Sequence, residues 1–570
     1  MSFPYALPFY ARWFWPPTLV LAGIVIRRNR LFDREKKITI KIMIMSRKSW
    51  VWILAGLWLT GAAFGAGAEA VNVAVRYHCA GGAVLAGNTN LSALNKLLAG
   101  RSAGEFEQLA LNRVGGLLAK SLQLETNSST ASLVGALLRD VVRNESVGCF
   151  STPASNVFNF VVALHLDAKG AQSWQGNLSR MLGGGGEEFT VERFNGRRWN
   201  RGPTDSFWIV PAGDWLVAGR GGDLLPAQTE YLQGVRQHGR PVAALTDNWL
   251  EADLDWGRLA VWLPEWSRVL KPAQIHLSVK PDVDKLEWNA RVVYEQAIRW
   301  ESEGWRPPTE LVRNPLDSFT AGQDVAAYLN LSPKYALLDG NPLTNQFYAW
   351  AMNQMPFQTY MAWPVADASN TLTGLSTSAP AAFNPGLKRF NDSALVWQGA
   401  KRRLICTGRR FVAPTLEAEQ EKAGQYLLVS FFPLGRHNEP APEKLWEQIK
   451  GRTNLIYYDW ELTGPRLAEW RLLGGIMGLR EWGRSAEELD ARTIDEDWLN
   501  GLGAPTGATA TEITRPAPNE LAMIRKGPIG LTALEMILLS DWLSGGGPGH
   551  GEVPAPQGGS PGAGPPPGAR

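Results

Sequence analysis

Cysteine is scarce, with three residues in 570. Cys79, Cys149 and Cys406 allow one bridge at most, so disulfides are excluded as the main scaffold. In an oxidising compartment Cys79 with Cys149 is the pairing to expect, and buried free thiols are the alternative. Cys-x-x-Cys is absent and the six histidines show no paired spacing, so a structural zinc site has no support. His78 and Cys79 are adjacent, but neighbours on a strand point to opposite faces and cannot share a ligand. Also missing are a nucleophile elbow between a strand and a helix, a Ser-x-x-Lys pair, a phosphate-binding loop and a dinucleotide fingerprint opening a helix. Gly183 to Gly186 lacks the Lys and Ser/Thr that a phosphate cradle needs. No cofactor and no metal is implied.

Basic excess is missing too, once the chain is divided. Residues 1–70 carry ten Lys and Arg against three Asp and Glu, a surplus of seven. The overall charge is +3, so the remainder is at −4, which argues against a nucleic-acid partner. The basic leader has the order of an export signal. Arg47 and Lys48 precede the apolar run that starts at Trp50, and the small residues Ala66-Gly-Ala68 and Ala68-Glu-Ala70 follow it. Residues 46–70 therefore read as a signal peptide, or as a membrane anchor if uncleaved, although the run is short for a bilayer span. Residues 1–45 are either untranslated, with Met43 or Met45 as the start, or a first membrane segment. The basic stretch between the two apolar segments would stay in the cytoplasm, so both alternatives send the body outward, to the periplasm or the medium.

Beyond the leader, strand signals recur at Asn156–Leu166, Ser206–Val210, Trp215–Ala218, Gln274–Val279, Leu286–Tyr294, Phe357–Val365, Tyr426–Phe432 and Leu455–Leu462. Helical stripes lie at Glu105–Leu124, Leu133–Val142 and Leu531–Leu543. The mixture predicts an α+β fold built on a mainly antiparallel sheet packed with helices. From residue 546 to 570 the chain is mostly Gly, Pro, Ala and Ser, the composition of a disordered tail.

Two stretches match without gaps at an offset of 208, Trp249 to Trp262 and Tyr457 to Trp470. Leu254, Arg258, Leu259, Ala260 and Trp262 recur as Leu462, Arg466, Leu467, Ala468 and Trp470. The pattern is a strand, a turn and a helix, with Asp255 and Thr463 in the N-cap place. At an offset of 235, Ala86-Gly-Asn-Thr matches Ala321-Gly-Gln-Asp, and Lys280–Leu286 matches Arg515–Leu521. Together these predict two tandem related halves, 71–305 and 306–545. The extra residues of the second half fall on Arg471–Asn500, which is helical in pattern. The leader, Asn314-Pro-Leu-Asp-Ser-Phe-Thr320, Asn454–Trp470 and Gly527–Glu535 resemble uncharacterised bacterial exported proteins of the domain-of-unknown-function type. That resemblance implies an envelope location and no particular activity.

The acidic positions are the remaining candidates for chemistry. Glu251, Asp253 and Asp255 alternate along one strand and Asp459 and Glu461 along another, so each set shares a face. Glu251, Asp253, Asp459 and Glu461 could supply carboxylates for glycoside hydrolysis, or oxygens for calcium. The twenty tryptophans beyond residue 70 would suit sugar stacking. The plainer reading is a solvated strand face whose charges discourage edge pairing, with Arg258 and Arg466 as partners. The expectation is therefore an exported, non-catalytic envelope or binding component with a protein or polysaccharide partner. A carbohydrate-active hydrolase is the alternative.

Overall fold

A computed structural model describes residues 73–543 apart from 125–127, 152–158, 203–204, 222–224, 243–246, 260–271, 299–302, 324–344, 355–357, 388–392, 409–413, 432–438, 477–497 and 500–506. The leader, the stretch 1–45 and the tail 546–570 lie outside the described residues, as does most of Arg471–Asn500. The fold is α+β with one large antiparallel sheet. Its first ten strands are β1 (Val73–Cys79), β2 (Ser146–Ser151), β3 (Asn159–His165), β4 (Glu187–Val191), β5 (Phe194–Asn200), β6 (Ser206–Ala212), β7 (Trp215–Arg220), β8 (Leu250–Asp255), β9 (Pro272–Asp282) and β10 (Lys285–Tyr294). The next ten are β11 (Leu316–Gln323), β12 (Gln346–Met352), β13 (Gln358–Val365), β14 (Ala394–Gln398), β15 (Arg403–Thr407), β16 (Thr415–Glu421), β17 (Gly424–Ser430), β18 (Leu455–Leu462), β19 (Ala508–Ala517) and β20 (Glu520–Gly527).

Every pairing is antiparallel, and the path across the sheet is continuous. It runs β4-β5-β6-β7-β3-β2-β1-β8-β9-β10, crosses to β20, and continues β19-β18-β11-β12-β13-β17-β16-β15-β14. Outward from the β10–β20 contact, the order is the same on both sides: tenth strand, ninth, eighth, first, second, third, seventh, sixth, fifth, fourth. In this path Glu251 of β8 lies opposite His78 and Ser278, and Asp459 of β18 lies opposite Thr320 and Thr511.

Helices follow the third, seventh and eighth strands of both runs. α1 (Gly82–Gly87), α2 (Ser92–Ala99), α3 (Arg101–Ser121) and α4 (Ser128–Arg143) follow β1, α5 (Ala168–Leu182) follows β3, α6 (Leu225–His238) follows β7 and α7 (Trp256–Leu259) follows β8. In the second run α8 (Ala368–Leu387) follows β13, α9 (Glu443–Glu447) follows β17, α10 (Thr463–Ile476) follows β18 and α11 (Ala533–Leu543) follows β20. No described helix is long and apolar enough to cross a membrane. The helices cover sheet faces whose buried residues form separate cores. One gathers Tyr77, Leu164, Trp174 and Leu250, another Phe319, Tyr348, Trp350 and Trp446. A third joins the two runs, packing Phe106 of α3 against Trp498 and the α10 and α11 residues Leu467, Met536 and Ile537. The Phe106 and Trp498 rings stack with centroids 4.3 Å apart.

Three sequence expectations are corrected. Cys79 and Cys149 are both free and buried. The β1–β2 register sets Cys149 opposite Arg76 and Cys79 opposite Ser146, so the two thiols point to opposite faces and lie in different cores. Asp255 does cap α7, accepting the Arg258 amide N–H at 3.1 Å, but the Thr463 hydroxyl instead meets that of Thr509 at 2.8 Å. The Ala86 and Ala321 matches do not correspond, because Ala86 is in a helix and Ala321 in β11. Lys280–Leu286 and Arg515–Leu521, by contrast, both hold the turn between the last two strands of their run.

One glycine beyond β20 packs against the β10 side of the β10–β20 seam. Gly530 has φ +77°, and a Cβ there would run into the Trp288 indole of β10. Gly530→Ala should therefore lower stability by about 2–4 kcal/mol, combining left-handed backbone strain with overpacking. The check is the urea midpoint, and a midpoint equal to wild type would show that the Trp288 contact yields freely.

Candidate functional site

The four candidate carboxylates do not converge. Glu251 and Asp253 lie on β8, while Asp459 and Glu461 lie on β18, with β9, β10, β20 and β19 between them. Five strand spacings put the two places about 24 Å apart along the sheet. Nor are β8 and β18 edge strands, so the solvated-edge expectation is corrected. Glu251, Asp459 and Glu461 are buried, the latter two at 7% and 6% exposure. Only Asp253, at 43%, faces solvent to a substantial degree.

On β8 the carboxylates are matched one to one. Glu251 accepts a hydrogen bond from the Asn248 amide. The Asp253 Oδ1 and His276 Nδ1 atoms are 3.0 Å apart across the β8–β9 register. That bond raises the His276 pKa, against the effect of partial burial. Arg76 lies directly opposite Asp253 on the other side, and the buried His78 opposite Glu251 reaches Glu145 at 3.3 Å.

On β18 the arrangement is denser. Tyr457, Asp459 and Glu461 share one face of a strand flanked by β11 and β19. The Thr320 hydroxyl donates to Asp459 at 2.6 Å, and the Ala533 amide N–H, at the start of α11, donates to Glu461 Oε1 at 2.6 Å. From β20, Arg525 donates to Glu535 at 2.8 and 3.1 Å and to the Thr511 hydroxyl at 2.9 Å. From α10, Arg466 pairs with Glu469 and stacks on the Trp470 ring. The carboxyl of Asp317 on β11, 1% exposed, sits against Glu469. Five carboxyls thus share a closed space with two guanidinium groups.

The electrostatics follow from that crowding. Burial, reinforced by the neighbouring Asp459, pushes Glu461 up to about 8. Burial pushes Asp459 to about 6 despite the Thr320 hydrogen bond, and Glu469 to about 7 despite Arg466. Asp317 is raised by the same cause, and the Tyr457 phenol is raised well above its ordinary value.

His276, Asp317, Glu469, Arg525 and Glu535 were not among the sequence candidates, because only strand register and helix docking bring them in. Among the described residues no group of His, Cys, Asp and Glu is arranged to hold a metal ion. Trp208, Trp350 and Trp446 are core residues, at 3%, 1% and 4% exposure, and so unavailable for sugar stacking. No known family model, no curated protein and no solved structure matches this chain.

Proposed function

We propose that this is an exported, non-catalytic component of the cell envelope, built from two related ten-strand units fused edge to edge. The observation that carries the non-catalytic reading is the closure of the β18 carboxylates. Asp459 and Glu461 lie under α10 and α11, bonded to protein donors, where a substrate would have to displace a helix to reach them. A glycoside-cleaving pair needs two carboxyls about 5–10 Å apart across a bound sugar. The β8 and β18 sets are much farther apart, and within each set the groups lie side by side on one face of a strand, not on opposite sides of a sugar. Of the four candidates, the hydrolase alternative keeps the half-exposed Asp253, beside His276, with a carboxylate elsewhere in the chain as its partner.

The coincident strand order and the Lys280/Arg515 turn match support the related units. The β10–β20 register pairs Asn289 with Ile524 and Trp288 with Arg525, while β10 and β20 hold equivalent places in their runs. Such a contact is self-complementary, the hallmark of a two-fold dimer interface between identical edges. A fused dimer gives a wide binding platform without an active site, suited to a protein or polysaccharide partner in the envelope.

Export is supported by the leader's charge and small-residue pattern. Fractionation with mass spectrometry of the native N-terminus tests it. The expected result is an extracytoplasmic protein starting near Glu69 or Val71, or an intact leader in the membrane fraction. Recovery of the intact chain from the cytoplasm would overturn the reading.

A further inference from the structure

We propose that the β18 cluster is a proton-loaded latch: protons held among Asp317, Asp459, Glu461 and Glu469 keep α11 closed on the sheet, and their loss releases α11 from it. The geometry carries this by charge balance. Glu461 is faced by Asp459 and Tyr457 from β18, Arg466 from α10 and Glu535 from α11. Arg525 of β20 faces Asp459 and Glu535, Glu469 of α10 and Asp317 of β11 meet each other and Arg466, and β19 contributes Thr509 and Thr511. On the α3 side Phe106 packs against the α10 and α11 residues, and Arg113 of α3 holds a buried Nε. Two guanidinium groups neutralise two of the five carboxylates. Leaving the other three ionised in so dry a space would cost several kcal/mol per ion, so they hold protons when the cover is shut.

Deprotonation makes hydration of the cluster favourable, and hydration requires the cover to move. α11 is the element most dependent on the cluster. Among the described residues, its polar contacts to the sheet are the Ala533 amide to Glu461 and Glu535 to Arg525, and both end in the cluster. Its remaining packing is apolar, against α10 and α3. Because α3 belongs to the first strand run, opening α11 also loosens a contact between the two runs. A rise in pH is thereby converted into a change at the joint.

Hydrogen exchange by mass spectrometry on the full-length chain tests the latch, at pH 6 and pH 9 with correction for the intrinsic rate. Protection of peptides spanning Ala533–Leu543 should fall about tenfold or more at the higher pH while β6 and β7 keep theirs. Glu461→Gln, and independently Asp459→Asn should the first variant fail to fold, should remove most of that pH response. Unchanged α11 protection in the wild type would overturn the proposal. So would a loss shared equally by β6 and β7, or a full response in both variants.

Discussion

Glu461→Gln should make the protein more stable than wild type at pH 8.5 and no more stable at pH 4.5. Gln keeps the shape and the Oε1 acceptor that receives the Ala533 amide N–H, and it places an uncharged group where the wild type must hold a proton. The sign follows from linkage. Glu461 titrates near 8 in the folded chain against 4.5 for an exposed Glu, so between those values the folded protein holds a proton that the unfolded chain has released. Wild-type stability is therefore fully present below pH 4.5 and declines as pH rises through about 8. The slope is about 1.4 kcal/mol per pH unit for one such group, so the whole decline is on the order of 5 kcal/mol. Asp459 and Glu469 add to it in the same direction. The variant lacks the Glu461 share, and its curve should be flatter. Urea denaturation followed by Trp fluorescence at the two pH values measures this directly. Parallel curves for wild type and variant would mean that Glu461 is already ionised in the fold.

Much of the architecture is legible in the sequence, because the strands that carry it alternate or are continuously apolar. Leu455–Leu462 and Leu286–Tyr294 are found within a residue of their sequence bounds, and Leu531–Leu543 contains α11. The strand-to-helix step after Leu254 and Leu462 is also where the repeated residues place it. What the sequence obscures is depth. Alternating acids read as a wet face, and on an edge strand they would be one, but β18 is paired on both sides and roofed by helices. Neither fact is local. The nearest sequence signal for the cluster is Arg525, a charge in the otherwise apolar alternation Leu521, Met523, Arg525, which a buried strand tolerates only beside a counter-charge. Arg466 and Glu469, three apart after a strand, are a second such sign. The partners themselves lie far away in sequence, Asp317 by 144 residues from Glu461, and only register joins them. The β8 set shows the same limit in reverse: His276 answers Asp253 solely because the β8–β9 pairing sets them side by side.

Arg525→Met should be among the most damaging single changes in the second run of strands, costing about 3–5 kcal/mol. Arg525 is 8% exposed and donates to both oxygens of Glu535, so its removal strands a carboxylate of α11 and takes away one of the two guanidinium groups paired with carboxylates in the cluster. The Thr511 hydroxyl loses its donor as well. Much of the expected cost is this orphaning rather than the worth of the pair, which gives the prediction a second part. Arg525→Met combined with Glu535→Gln removes both charges and should recover part of the loss, giving a coupling energy of about 1–3 kcal/mol in a double-mutant cycle. If the double variant instead loses the sum of the two singles, the pair acts through separate contacts and the closed-cluster description fails. The single variant should also steepen the decline of stability with rising pH, because one fewer cation leaves four carboxyls rather than three to be held neutral. A slope no steeper than wild type, measured in the same urea series, would show that Arg525 does not set the charge of the compartment.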